Sequence, residues 1–156
     1  MGMVHAEIDL LSGEDVIAAR HGRLPEAEIR RVRVEAVVDT GVFMLSITET
    51  IRQQLGLPTT EQVLVRLADG SRVAADVVGP IELHFANRRA LIEALVTPGD
   101  TGEVLLGANP LEHMDVLVDP LRQRLVVNPA HPDRPVFRMV GVRPLPLDPD
   151  AFRDDP

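Results

Sequence analysis

Apolar and polar residues alternate at a spacing of two along much of this chain, and no other property limits its fold as strongly. Val4, Ala6, Ile8 and Leu10 alternate with His5, Glu7 and Asp9, while Val32, Val34, Ala36 and Val38 alternate with Arg31, Arg33 and Glu35. Successive side chains of an extended strand point to opposite faces, so each apolar set covers one face of a sheet. The rhythm returns in Val63, Val65, Leu67 and in Val73, Ala75, Val77, with Asp69-Gly70 between them. Asp-Gly between alternating runs is the preferred chemistry of a tight two-residue hairpin turn. Gly79-Pro80 punctuates the chain before Ile81, Leu83 and Phe85, and after a turn at Asn87-Arg88 the stretch 90–96 is more evenly apolar. Short buried strands are expected at 103–106, 116–118 and 125–127.

Helix signals are few. Thr48 stands ahead of a segment in which Ile51 and Leu55 are four apart, Gly56 suits a left-handed C-terminal position, and Pro58 follows. Asn109-Pro110 offers an N-cap and a first helical residue for a turn of helix through Met114. Residues 11–28 mix Ser, Gly, Pro and charges and read as a long connection with a short helical turn at 14–20. The expected class is therefore all-β, with a closed β-barrel as the way to hide so many strand edges and one or two short helices outside it.

From Pro129 onward proline recurs at 132, 135, 144, 146, 149 and 156, and the apolar rhythm fades. Proline cannot donate to a ladder, so a domain over 1–128 is expected to be followed by a proline-rich tail over 129–156 outside the core sheet. Within that tail only 136–142 could add an edge strand.

Composition removes several classes of function. The 156 residues contain no cysteine, which excludes disulfides, thiolate zinc sites and thiol nucleophiles. The net charge of −8 opposes binding to a polyanion, and the absence of Trp and Tyr leaves little to stack on bases, so nucleic acid is not an expected partner. The basic residues Arg20, His21, Arg23, Arg30, Arg31 and Arg33 are interspersed with Glu26, Glu28 and Glu35 and read as a solvated sheet face rather than an anion site. Glu7, Asp9, Glu14 and Asp15 stand where a signal peptide needs a basic flank and an apolar core, and no segment approaches the roughly 20 apolar residues of a membrane helix. A soluble, cytoplasmic protein without a membrane partner is expected. The five histidines show no metal-binding spacing, and neither a GxSxG nucleophile nor a phosphate-cradling loop is present.

One carboxylate remains unexplained. In Glu35-Ala36-Val37-Val38-Asp39-Thr40-Gly41-Val42-Phe43-Met44-Leu45, Asp39 interrupts an apolar, β-branched run. Gly41 would let backbone N–H groups approach the Asp39 carboxylate closely, because no side chain blocks them. An acid held in that way can stay ionised while partly buried. Hydrolysis through carboxylates needs a pair with one member charged and one protonated, and the chain carries a single Asp-Thr-Gly. A twofold homodimer would supply the second.

Val37-Val38-Asp39-Thr40-Gly41 resembles the active-site loop of the aspartic proteases, and its single copy in a short chain resembles the dimeric, retropepsin-like branch. Leu105-Leu106-Gly107-Ala108-Asn109-Pro110-Leu111 is similar to that family's second signature, two apolar residues followed by Gly and a short helix. The hairpin around Asp69, Gly70 and Ser71 occupies the place of the flap that closes over substrate. The segment 114–129 resembles the closing hairpin of bacterial members, so the likeness spans about residues 29–128. The resemblance implies an aspartic endopeptidase in which Asp39 of two subunits activates a water, Thr40 bonds across the dimer axis, and Gly41 permits the close approach. It implies Val42, Leu106 and the hairpin residues Asp69, Gly70 and Ser71 as substrate contacts, a peptide or protein as substrate, and no metal or other cofactor. The sequence departs from the family in Val42, where Ala or Ser is usual, and in a flap tip short of glycine. Those two features favour the alternative, a barrel that binds an extended peptide or partner protein without cutting it.

Overall fold

The computed structural model describes residues 2–99, 102–139 and 141. In chain order its elements are β1 (Val4–Ser12), α1 (Gly13–Arg20), a 3-10 turn (Glu26–Glu28), β2 (Arg31–Val38), β3 (Leu45–Ile47), α2 (Glu49–Leu55), β4 (Thr59–Arg66), β5 (Arg72–Phe85), β6 (Arg88–Val96), β7 (Val104–Leu106), α3 (Ala108–Met114), β8 (Val116–Asp119) and β9 (Arg124–Val127).

Six of these strands close on themselves. Going round the ring, β1 pairs with β2, β2 with β7, β7 with β3, β3 with β6, β6 with β5, and β5 returns to β1. Closure leaves the ring without a free edge, which is how a sheet of this size avoids templating other chains. The β4 strand hangs on β5 to form the hairpin, and the β8–β9 hairpin attaches to the start of β1 through one parallel bridge, His5 to Arg124.

The alternation read in the sequence sets which side chains enter the ring. Leu10, Leu45, Ile47, Ile81, Leu83 and Leu106 have no exposed surface and meet in one core. Fully burying one such side chain is worth about 1.5–3 kcal/mol, so this layer is the main source of the barrel's stability. On the same strands Asp9, beside Leu10, and Arg31 and Arg33, on either side of Val32, face outward.

Three local expectations are corrected. Gly79-Pro80, read as a break, lies inside a continuous 14-residue β5. The register against β6 shifts between Val78 and Ile81. This irregularity re-aims the strand, so that its first half pairs with β4 and its second half with β1. The turn at Asp69-Gly70 is three residues long rather than two: the Leu67 amide donates to Ser71 O at 2.8 Å, and Gly70 takes the left-handed conformation at φ 86°. Asn109 is not the cap of α3; Gly107 is, and Asn109 sits within the first turn.

Other local signals hold. The Thr48 hydroxyl accepts from the Ile51 amide at 3.2 Å and Gly56 closes α2 at φ 60°. The short helical turn after Ser12 is the full helix α1, capped by that serine and ended by Arg20. Among the described residues no helix is long and apolar enough to cross a membrane.

Past β9 the chain forms no further ladder over 129–139 and at 141; positions 140 and 142 of the edge strand considered above lie outside the described residues. The segment nonetheless returns to the barrel. Asp115, the left-handed residue that ends α3, accepts from Asn128 Nδ2 at 2.9 Å, from the amide of Val136 at 3.0 Å, and pairs with His131 Nδ1 at 2.7 Å. At the β5–β6 turn, Asn87 Nδ2 donates to Pro132 O at 2.8 Å, and the buried Arg88 guanidinium donates to His131 O.

Candidate active site

The register of the barrel delivers Asp39 to a fixed point. Val38 is the last residue of β2, lying opposite Val4 on one side and Leu106 on the other. One residue further, the Asp39 amide still donates to Leu106 O at 3.0 Å, while its carbonyl oxygen accepts from Val42 N at 3.2 Å. The backbone is thus held from both directions as it leaves the sheet.

The carboxylate is held as well. Gly41 N donates to Asp39 Oδ1 at 2.9 Å. A Cβ at position 41 would lie 3.2 Å from that same oxygen, so the glycine leaves the space through which amide and acid meet. Asp39 itself is half-buried, and Thr40 and Gly41 are exposed beside it.

The loop then locks onto the start of α3. Ala108 N donates to Val42 O at 2.8 Å and Asn109 N to Phe43 O at 2.9 Å. The first amides of a helix lack partners within it, and here the active-site loop supplies them. That use of the first-turn amides explains why the helix begins before Asn109. The approach is close enough that a Cβ on Gly107 would sit 2.4 Å from Met44 O and 2.5 Å from Val42 O. Gly107 is therefore a site residue that the expected set omitted; its only sequence signal is the glycine after Leu105-Leu106.

The remaining expected residues are distributed differently. Leu106 has no exposed surface, so its side chain belongs to the core and lines no pocket; its carbonyl oxygen is what serves the site. The cause is register, since Leu106 shares the inward face of β7 with Val104. Val42 is half-buried and contributes its carbonyl to the lock on α3. Asp69, Gly70 and Ser71 stand exposed at the hairpin tip. There Asp69 Oδ1 accepts from the Ser71 hydroxyl at 2.6 Å and from its amide at 2.9 Å, bonds that hold the Asp69 carboxyl below its ordinary range. Those bonds shape the tip internally and join it to no part of the Asp39 loop.

An apolar groove runs from Thr40 past Ala108, Leu111, Leu117 and Val118. Phe43, 70% exposed, and Leu117, 46% exposed, add uncovered hydrocarbon to the loop and to β8.

A six-stranded ring that presents one Asp-Thr-Gly loop braced by a glycine-led helix, with a β-hairpin extending from the ring, defines the retropepsin-like class of aspartic proteases. Comparison with known proteins agrees. A family model described as "Aspartyl protease" matches residues 25–109, which include the Asp39 loop, the hairpin and Gly107, and the chain belongs to that family. Among solved structures, the fold is similar to the retroviral protease-like domain of Ddi1 from Leishmania major, with a TM-score of 0.52 and 13% sequence identity over 83% of this chain and 90% of that one. No curated protein matches the chain.

Proposed function

We propose that the chain is an aspartic endopeptidase whose active site forms when two copies bring their Asp39 carboxylates together. The observation that carries this reading is the Gly41 amide bonded to Asp39 Oδ1 at 2.9 Å on a loop fixed from both sides. It leaves the acid oriented, half-buried and bonded to a backbone donor.

Two such carboxylates about 3 Å apart cannot both ionise, so the pair shares one proton. The ionised member takes a proton from a water bound between them, and the resulting hydroxide equivalent adds to the peptide carbonyl. The protonated member donates to the carbonyl oxygen as charge develops there. Collapse of the tetrahedral intermediate breaks the C–N bond, the departing nitrogen receives a proton from the dyad, and acid and amine products leave. No metal, cofactor or covalent intermediate takes part. Thr40 would bond across the axis, and the groove running from it together with the exposed Phe43 and Leu117 suits burial between two subunits. The β4–β5 hairpin would order an extended peptide by strand-like pairing. The substrate on this reading is a peptide or protein with apolar side chains near the cut.

Measurement of solution mass together with cleavage of a peptide library tests the proposal. A dimer that cuts best at mildly acidic pH, and an Asp39→Asn variant of the same mass that cuts nothing, would support it. Cleavage that survives Asp39→Asn would place any activity elsewhere, and a monomer without cleavage would turn the reading to a peptide-binding module.

A further inference from the structure

The basic segment that precedes β2 is not explained by the active site. In the fold, most of its charge is answered. Arg30 pairs with Asp15 at 2.8 Å, Arg33 holds Asp9 through two bonds of 2.8 and 3.0 Å, and Arg20 reaches Glu82 at 3.2 Å. Arg31 forms no ion pair among the described residues, and it borders a cavity of about 470 Å³ that α1 and the 3-10 turn enclose against the outer face of β1 and β5.

This cavity has two distinct walls. Leu11, Val16 and Ile29 form an apolar floor, a cluster separate from the barrel core. Arg20 and Arg31 supply positive charge, and Asp9, Glu26 and Glu82 supply negative charge. The Glu82 side chain is only 7% exposed, and Arg20, His84 at 2.8 Å and Arg89 at 3.6 Å already surround it. Asp9 is likewise occupied by Arg33. Of the acids on this wall, only the exposed Glu26 lacks a cation partner among the described residues. Among the described residues, the charged donors left over are guanidinium groups, all of Arg31 and the nitrogens of Arg20 that Glu82 does not use, while Glu26 is the one acid left without a cation.

We infer that this cavity is a second binding site, taking a carboxylate carried on a small apolar body. The acid bonds to Arg31 and Arg20, whose planar forks match a carboxylate, and the hydrocarbon lies on Leu11, Val16 and Ile29. Glu82 acts as a positioning residue by fixing the Arg20 guanidinium. The site is independent of the proposed dyad, because Arg31 begins β2 and Asp39 follows its last residue, about 25 Å away at roughly 3.3 Å per residue. A free organic acid and the C-terminal residue of a peptide share this chemistry.

The test is a titration of the isotope-labelled full chain, followed by amide chemical shifts, with N-acetyl-leucine, with the peptide Ala-Ala-Leu, and with the C-terminal amide of each. Saturable shifts at Val16, Ala19 and Arg31 are expected with the acids. Replacing the acid by its amide, or Arg31 by Gln, should each weaken binding by about tenfold or more, the scale of one charge-assisted pair. Binding of N-acetyl-leucine alone would identify free acids as the ligand, and tighter binding of Ala-Ala-Leu would identify chain ends. Equal binding of acid and amide, an unaffected Arg31→Gln variant, or no saturable shift with either acid would overturn the inference.

Discussion

Ala108 donates its backbone hydrogen to the carbonyl oxygen of Val42 across 2.8 Å, and this bond makes the Asp39 loop and the first turn of α3 one rigid unit. The contact is possible because Gly107 between β7 and α3 has no side chain. In Gly107→Ala the new methyl group would lie 2.4 Å from Met44 O, a backbone atom that cannot swing aside. Overpacking of this kind typically costs about 1–3 kcal/mol, and a clash with backbone belongs at the upper end. Denaturant midpoints should show that loss, with cleavage falling further because Asp39 moves with the loop.

The carboxyl of Asp115 carries a pH dependence. Bonds from Asn128, from the Val136 amide and from His131 hold it down to about 2, against an ordinary value of 3.8. A folded value below the unfolded one gives stability that is present above the unfolded value and lost as pH falls through the folded one. The contribution should thus fade between pH 3.8 and about 2. Asp115→Asn should flatten the acid limb of stability against pH in that window, read from urea midpoints at successive pH values, without changing the slope above pH 5, which is about one unit beyond the ordinary carboxylate range. An unchanged acid limb would mean the three bonds do not persist in solution.

Arg88 links the segment after β9 to the barrel. It is 2% exposed, its guanidinium donates to His131 O, and its Nε and Nη1 have no hydrogen-bond partner among the described residues. Ending the chain at Asn128 removes the acceptor and strands a buried cation, which should cost about 3–5 kcal/mol. Ending it at Met139 keeps the acceptor and strands no cation. In an Arg88→Met background the shorter truncation should lose much less, since no charge remains to be stranded. Thermal unfolding of the full chain, the chain ending at Asn128 and the Arg88→Met form of each measures the coupling.

These elements also show what a sequence of this kind discloses. Period-two alternation marked β1, β2 and β5 because the side chains they send into the barrel are apolar; Thr48 and Gly56 marked α2 because its caps are side-chain and glycine effects. The Asp-Thr-Gly loop was readable for the same reason, as its chemistry lies in residue identity. What stayed hidden rests on backbone acceptors, which leave no trace in residue type. The start of α3 is set by the carbonyls of Val42 and Phe43, and Asn109 gave a misleading cap signal beside them. Leu106 was taken for a pocket wall because motif position does not reveal which face of a three-residue strand turns inward. The return of residues 128–136 depends on the carbonyls of His131 and Pro132 and on one aspartate, so proline content placed the segment outside the core sheet without disclosing these contacts.

The account stands on catalysis shared between two Asp39 side chains, and mixing tests it most directly. Wild-type protein held at constant concentration is allowed to exchange subunits with increasing amounts of Asp39→Asn protein, and peptide cleavage is followed. A shared dyad predicts that activity falls as wild-type chains enter mixed dimers, in direct proportion to the wild-type fraction. Activity that stays constant whatever the amount of Asp39→Asn added, after subunit exchange has been verified by mass, would contradict the account.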